Sequence, residues 1–232
     1  MPEERVTAAR NNAEWCELVC ASHGLYGRTE ADAWSVPRRS PRWYPDAVTL
    51  RPGVAAEALL DRIDAGPGAS VKDSFADLDL RPYGFRVLFA AEWIHRPADP
   101  APADLPADPA AVPAPPLTPV TAPDALAAWA AAHGGAELFR PALLADPRVT
   151  VLARYDDDGT VAGGAVLNRG GGPVTGVSNV FATGGDATGL WAAVRAAAGG
   201  AALVGYESGD DLLPALRAGF AAAGPLRVWV RD

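Results

Sequence analysis

Trp15, Leu18 and Val19 recur at helical spacing within Ala8–His23, which predicts a helix with one buried side. The polar stretch Arg28–Pro45, rich in Arg, Pro and Trp, reads as loop and leads into a short strand over Ala47–Leu50. Leu59, Leu60 and Ile63 predict a helix over Ala55–Ile63, Asp73–Leu80 reads as a second short helix, and Phe85–Ile94 as a strand. Pro97–Pro123 then carries ten prolines among alanines and acids. Proline fixes φ and removes an amide donor, so neither a long helix nor a central strand runs through it. The expectation is a semi-rigid linker over residues 97–116, whose tail, Val112–Val120, can pair as an edge strand.

Beyond residue 117 the pattern sharpens. Asp124 is placed to cap a helix to Ala131 with Leu126, Trp129 and Ala130 inward, and Glu137–Ala145 reads as a Pro-containing helix. Three strands follow, Val149–Tyr155, Thr160–Asn168 and Val174–Ala182, joined by turn chemistry at Asp156–Gly159 and Gly170–Pro173. A Gly-rich loop, Thr183–Gly189, opens a helix over Leu190–Ala198. After it come an apolar strand Ala201–Tyr206, a helix Asp210–Ala218 and a last strand Leu226–Arg231. The fold class is α/β: a mixed, mostly antiparallel sheet with flanking helices, in a rear unit of residues 117–232 and a smaller front unit of residues 1–96.

A weak internal repeat links the two. Asp73-Ser74 and Glu207-Ser208 each follow an apolar strand start. Each is followed by a Gly-Phe turn, Gly84-Phe85 or Gly219-Phe220, and a strand carrying Trp93 or Trp229. Duplication explains this, and so does chance similarity among Ala-, Gly- and Arg-rich helix ends.

With 49% apolar and 21% charged residues in 232, the chain has enough material for a core and too little charge to be wholly disordered. No run approaches the roughly 18 apolar residues of a membrane helix, and the N-terminus lacks an apolar signal segment, so a cytoplasmic protein with no membrane partner is expected. The net charge of −8 argues against nucleic-acid binding. Arg38, Arg39 and Arg42 still cluster as a potential anion site. Lys72 is the only lysine; with the Ala, Gly and Pro excess, this reads as the codon bias of a high-GC genome.

Cys16, Cys20 and His23 form C-x3-C-x2-H, but zinc needs a fourth ligand, and four-apart cysteines on a helix rarely meet disulfide geometry. They read as small apolar packing residues, and no metal is expected. His23, His95 and His133 lie in separate segments with no Ser-His-Asp spacing. His133 reads as a helix C-terminal residue favoured by the dipole.

The rear half resembles the GNAT superfamily of acyl-CoA N-acyltransferases. The resemblance rests on the strand-turn-strand VTVLARYDDDGTVAGGAVLNR, on the strand GVSNVFA entering a Gly-rich loop and helix, and on Gly219-Phe220 before a final strand. It implies that Val174–Ala182 splays from its neighbour and that acetyl-CoA or another acyl-CoA enters the gap as co-substrate. Backbone groups of Val180, Phe181 and Ala182 would hold the pantetheine arm, and the loop with Gly184, Gly185 and Gly189 the pyrophosphate. The whole chain also looks like tandem GNAT proteins with one degenerate half. Three positions depart from the family's pattern. The loop Thr183-Gly-Gly-Asp-Ala-Thr-Gly189 lacks the usual leading Arg or Gln and carries Asp186. Ala215 stands where a tyrosine acid is common, and Ser208 where an asparagine is common.

Amine acylation needs a base for the ammonium nucleophile. Glu207, ending an apolar strand where burial raises a carboxyl pKa, is the base candidate; the bland alternative is an acid complementing the next helix's dipole. Tyr206 points to the other face of a regular strand, yet past the strand end it remains a candidate acid. Ser178 and Asn179 sit mid-strand in the segment that would line the cleft; either substrate or a neighbouring backbone would satisfy them. Trp34–Tyr44, including Trp43 and Tyr44, is either a recognition surface for a small-molecule substrate or a loop packed by its aromatics. The function expected is acyl-CoA-dependent N-acylation of a small amine or amino-acid-like acceptor. The alternative is a catalytically inactive GNAT-like ligand- or protein-binding module.

Overall fold

The structure, a computed structural model, describes residues 3–99, 116–184 and 187–232. Five helices, α1 (Glu3–Ser22), α2 (Ala56–Leu60), α3 (Pro123–His133), α4 (Ala187–Ala197) and α5 (Leu212–Arg217), flank one sheet. Its front strands are β1 (Arg28–Thr29), β2 (Ala33–Ser35), β3 (Ala47–Thr49), β4 (Ser70–Asp73) and β5 (Phe85–Arg96). Its rear strands are β6 (Thr118–Pro119), β7 (Val149–Tyr155), β8 (Val161–Arg169), β9 (Thr175–Ala182), β10 (Leu203–Glu207) and β11 (Ala221–Arg231). No helix among the described residues is long and apolar enough to cross a membrane.

The strands lie in the order β1-β2-β3-β4-β11-β5-β10-β9-β8-β7-β6. The order is nearly two-fold about the β11–β5 pair. Within each half one pair is parallel, β3 with β4 and β9 with β10, and the other pairs are antiparallel. The last strand of each half crosses over: β5 pairs with β10 of the rear half, and β11 pairs with β4 of the front. β5 and β11 also pair with each other over most of their length, from Ala221 opposite His95 to Arg231 opposite Phe85. The two regions of the weak sequence repeat therefore occupy equivalent places in one continuous sheet.

Alternation along the central strands assigns the layers. Trp93, Val204 and Val228 face α1 through Ala8 and Ala9, and α1 and α3 share the cluster that contains Trp15, Val19, Leu126 and Trp129. On the opposite face, Ile94, Leu167, Val177 and Leu203 pack with Trp191 and Val194 of α4 and Ala215 of α5, while α2 covers Val71 and Trp229. Buried amides fasten α1 to β8: Asn168 Nδ2 donates to Asn11 Oδ1 at 3.1 Å.

Several elements differ from the sequence reading. The expected loop Arg28–Pro45 contains β1 and β2, which are too short to show a period and form because β3 offers them an edge. The expected helix over Asp73–Leu80 is instead the end of β4 and a turn. The buried Asp73 carboxylate accepts hydrogen bonds there from the amides of Phe75, Asp77 and Leu78, which satisfies the backbone without a helix. In Glu137–Ala145 only Pro141–Ala145 is helical, as a 3-10 turn opened by its proline. α3 starts after Ala122 with Pro123 at its first position, and Asp124 lies inside the first turn rather than at the cap. Of the expected linker, residues 100–115 lie outside the described residues; its tail does add an edge strand, Thr118–Pro119, on β7.

Candidate functional site

β9 and β10 are hydrogen-bonded as a parallel pair only at Leu203 with Thr175 and Val204 with Gly176. At the next step they still touch: a Cβ on Gly205 would stand 2.7 Å from the Val177 carbonyl oxygen, so glycine permits the approach. Then they part. Ser178 pairs with Val166 of β8 and Phe181 with Gly164, so two β9 residues, Asn179 and Val180, stand against one β8 residue. This is a β-bulge, and Asn179 has φ of 53° in the left-handed region that asparagine tolerates better than most residues. The bulge bends β9 away from β10, and from Ser178 to Ala182 the β9 edge on that side has no strand partner.

The slot opens on both faces of the sheet. Toward α1 it is a cavity of about 210 Å³ whose lining includes Asn12, Tyr44, Lys72, Ser178, Tyr206 and Glu207. Toward α4 it is a cavity of about 200 Å³ along Val180, Phe181 and Ala182, reaching Trp191 and Asp211. Val180 and Glu207 line both.

Glu207 is the last residue of β10. Burial, with Asp211 as a second negative charge, raises its carboxyl from 4.5 to about 8. Ser208 is the cap residue of the helical turn that follows, and among the described residues no hydrogen bond reaches the Glu207 carboxyl. The contrast with its counterpart in the repeat is direct. Asp73 ends β4 as Glu207 ends β10, but three backbone amides occupy Asp73.

Tyr206 faces α1, as strand alternation requires. Its ring meets Trp93 edge-on at 5.6 Å, and the Lys72 ammonium lies 4.0 Å from its centroid. Ser178 and Asn179 satisfy one another, Asn179 Nδ2 donating to Ser178 Oγ at 2.9 Å. Phe181 sends its ring away from the slot into a cluster with Trp129 and His133, leaving its backbone to the slot. A Cβ at Gly184 or Gly189 would meet nothing within 4 Å, so the backbone there is open to a ligand. Gly185 and Asp186 lie outside the described residues.

Trp43 and Tyr44 take separate roles. Trp43 is 57% exposed with φ of 73° at the cavity rim. Tyr44 is 9% exposed inside the cavity, where burial pushes its hydroxyl pKa up; the Asn179 and Trp15 side chains are its polar neighbours, neither in standard hydrogen-bond geometry. The loop is held by Asp46, 1% exposed, which accepts from Arg39 at 2.9 Å, from the Ser40 amide at 2.7 Å and from the Ser70 amide at 2.8 Å.

His133 is the last residue of α3, as expected; there burial lowers its pKa, and its ring stacks on Trp129 at 5.3 Å. Cys16 and Cys20 are free and buried, and burial holds the Cys16 thiol near 11. Among the described residues no group of three potential metal ligands is present.

Five further residues line the cavity toward α1: Asn12, Trp15, Cys16, Pro45 and Lys72. In the sequence Trp15 and Cys16 read as helix packing and the lone lysine as codon bias, while Asn12 and Pro45 carry no site signal. Asn12 Oδ1 accepts from Lys72 Nζ at 2.8 Å, joining α1 to β4 across 60 residues of chain.

No protein-family model matches the sequence, and no curated protein matches it. Solved structures do match in fold. A GCN5-related N-acetyltransferase from Kribbella flavida aligns with TM-score 0.59 and 18% identity, over 97% of this chain and 95% of that one. A structure described as a putative acetyltransferase of the GNAT family from Novosphingobium aromaticivorans aligns with TM-score 0.56 and 17% identity, over 97% of this chain and 99% of that one. A conserved Staphylococcus epidermidis protein of unknown function aligns with TM-score 0.51 and 12% identity over 76% of each chain. The chain has the fold of GNAT acetyltransferases over nearly its whole length.

Proposed function

We propose that the protein is an acyl-CoA-dependent N-acyltransferase acting on a small amine or amino-acid-like acceptor, with acetyl-CoA the first co-substrate to test. One observation carries the reading: the bulge at Asn179 opens a slot through the sheet, and Glu207 stands where its two mouths meet, with its carboxyl unclaimed by any described hydrogen bond. The GNAT fold of the chain supports it.

The unpaired β9 edge at Val180, Phe181 and Ala182 suits the amide-bearing pantetheine arm, and the open backbone at Gly184 and Gly189 suits the phosphates. Acyl-CoA supplies the thioester carbonyl. Glu207 as carboxylate takes the proton of the acceptor ammonium. The freed amine forms the new C–N bond to the thioester carbon and the C–S bond breaks. Tyr206 is the candidate donor of a proton to the departing thiolate, and the second proton that the nitrogen sheds as the amide forms returns through water to restore the Tyr206 hydroxyl. With its pKa near 8, Glu207 is matched to ammonium protons near neutral pH. The front half is, in this reading, a second, degenerate copy of the same unit; the two-fold order of strand pairing supports that origin, and Asp73 would be the equivalent acid, held by backbone amides.

Isothermal titration with acetyl-CoA and longer acyl-CoAs tests the reading, followed by thiol-release assays with a panel of amines. Binding of at least one acyl-CoA, and turnover lost in Glu207→Gln with that binding intact, is the expected result. No heat and no thermal shift with any acyl-CoA would remove the reading.

A further inference from the structure

Lys72 is 3% exposed on β4, yet among the described residues no carboxylate lies within ion-pairing distance of its ammonium. Its neighbour Asp73 points away and is occupied by backbone amides. Buried cations are ordinarily paired, because desolvating an unpaired ammonium is expensive. An ammonium has three donors. Asn12 Oδ1 takes one at 2.8 Å and the face of the Tyr206 ring attracts the charge, which leaves donor capacity within the cavity that Lys72 lines.

A second, independent donor in the same cavity has no well-formed hydrogen bond. The Tyr44 hydroxyl is buried, with the residue 9% exposed; Asn179 and Trp15 are near it, but neither is in standard hydrogen-bond geometry. A buried hydroxyl without a partner is destabilising unless a ligand supplies one. Two donors, an ammonium and a phenol, therefore line one cavity that also holds Glu207.

We infer that Lys72, assisted by the Tyr44 hydroxyl, anchors a carboxylate of the acceptor, so that the acceptor is an amino-carboxylate rather than a simple amine. The amine end of this assignment rests on the acyltransferase reading; the anion end does not. The arrangement gives each end of a zwitterion its own group, Glu207 for the ammonium and Lys72 for the carboxylate. The remainder of the acceptor has an exit, because Tyr44, Lys72 and Tyr206 also border an outer groove of about 550 Å³ that runs along Leu88, Phe89 and Val228.

The test uses the full chain without acyl-CoA. The twenty common L-amino acids and their α-amides are compared by thermal shift and isothermal titration. Binding of at least one amino acid, at least tenfold tighter than its own amide, is expected, the size of a charge-assisted hydrogen bond. Lys72→Met, similar in length and apolar, should bring acid and amide to equal affinity while the acetyl-CoA affinity stays within twofold of wild type. Should Lys72→Met fail to fold, Tyr44→Phe replaces it, with acid binding weakened several-fold and amide binding unchanged.

Three results would each overturn the assignment: no amino acid binding to the wild type, equal binding of acid and amide, or discrimination retained in Lys72→Met. A mass increase at Lys72 on incubation with acetyl-CoA would also overturn it, by making Lys72 a nucleophile. Loss of the acyltransferase reading is seen separately, as absence of acyl-CoA binding, whatever the amino acids do.

Discussion

Replacing Glu207 by Gln tests the site through stability as well as turnover. The carboxyl rises from 4.5 to about 8 on folding. At about 1.36 kcal/mol per unit, a shift of that size sets an upper bound of roughly 5 kcal/mol of native-state penalty for the ionised form. The side chain keeps contact with solvent at the cavity mouth, which reduces this to about 2–3 kcal/mol. The sign follows from proton counting. Between pH 4.5 and 8 the unfolded chain has released the Glu207 proton and the native protein still holds it. Native stability therefore falls as pH rises through that window. Gln carries no proton to lose, so the stability advantage of Glu207→Gln over wild type should be smallest near pH 4, grow up to about pH 8 and then level off. Urea titrations of both proteins at pH 4.5, 6, 7.5 and 9 measure the difference directly. A difference that stayed constant across the series, or shrank with rising pH, would refute the claim that Glu207 is desolvated and unpartnered. Any cost of burying the Gln amide is the same at each pH and drops out of the slope. In turnover, kcat/KM of the wild type should climb through about pH 8, and the Gln variant should lose about 10²- to 10⁴-fold at unchanged acyl-CoA affinity.

Substitutions at three other positions address what opens and frames the slot. Gly205→Ala places a Cβ 2.7 Å from the Val177 carbonyl oxygen and should destabilise by about 1–3 kcal/mol, read as a lower denaturation midpoint. At Asn179, with φ of 53°, a β-branched valine should cost about 1–2 kcal/mol and weaken acyl-CoA binding, whereas glycine should retain both stability and binding; equal behaviour of the two variants in titration calorimetry would dissociate the slot from the bulge. Asp73→Ala strips acceptors from the amides of Phe75, Asp77 and Leu78 and should cost about 2–3 kcal/mol in chemical denaturation, with acyl-CoA affinity unchanged.

The elements of the rear half were legible because their signals are local. The turn residues at Asp156–Gly159 and Gly170–Pro173 bound strands long enough to show their pattern, and β7, β8 and β9 lie within one or two residues of the expected bounds. Glu207 was legible for the same reason, as an acid at the end of an apolar run. In the front half, β1 and β2 span two and three residues, too few for any period to register, and they exist only because β3 presents an edge. Asp73 carried the residue type of a helix start, and whether its carboxylate would cap a helix or a turn was settled by burial.

The sequence by itself determined that an α/β sheet would form, where its rear strands run, and that Val174–Ala182 leads into a glycine-rich turn before a helix. Tertiary structure alone decided that β5 and β11 change places between the halves, and with that which residues face one another. Lys72 and Tyr206 are 134 residues apart in numbering and touch because their strands sit on either side of that crossed pair. Tyr44 belongs to a loop whose composition permits either an exposed or a buried tyrosine, and Asp46 ties it inward. Strand pairing between distant segments and the enclosure of a cavity depend on contacts remote along the chain. Periodicity and turn chemistry describe only near neighbours, so the charge and the open donors of the site come into view only when the sheet is assembled.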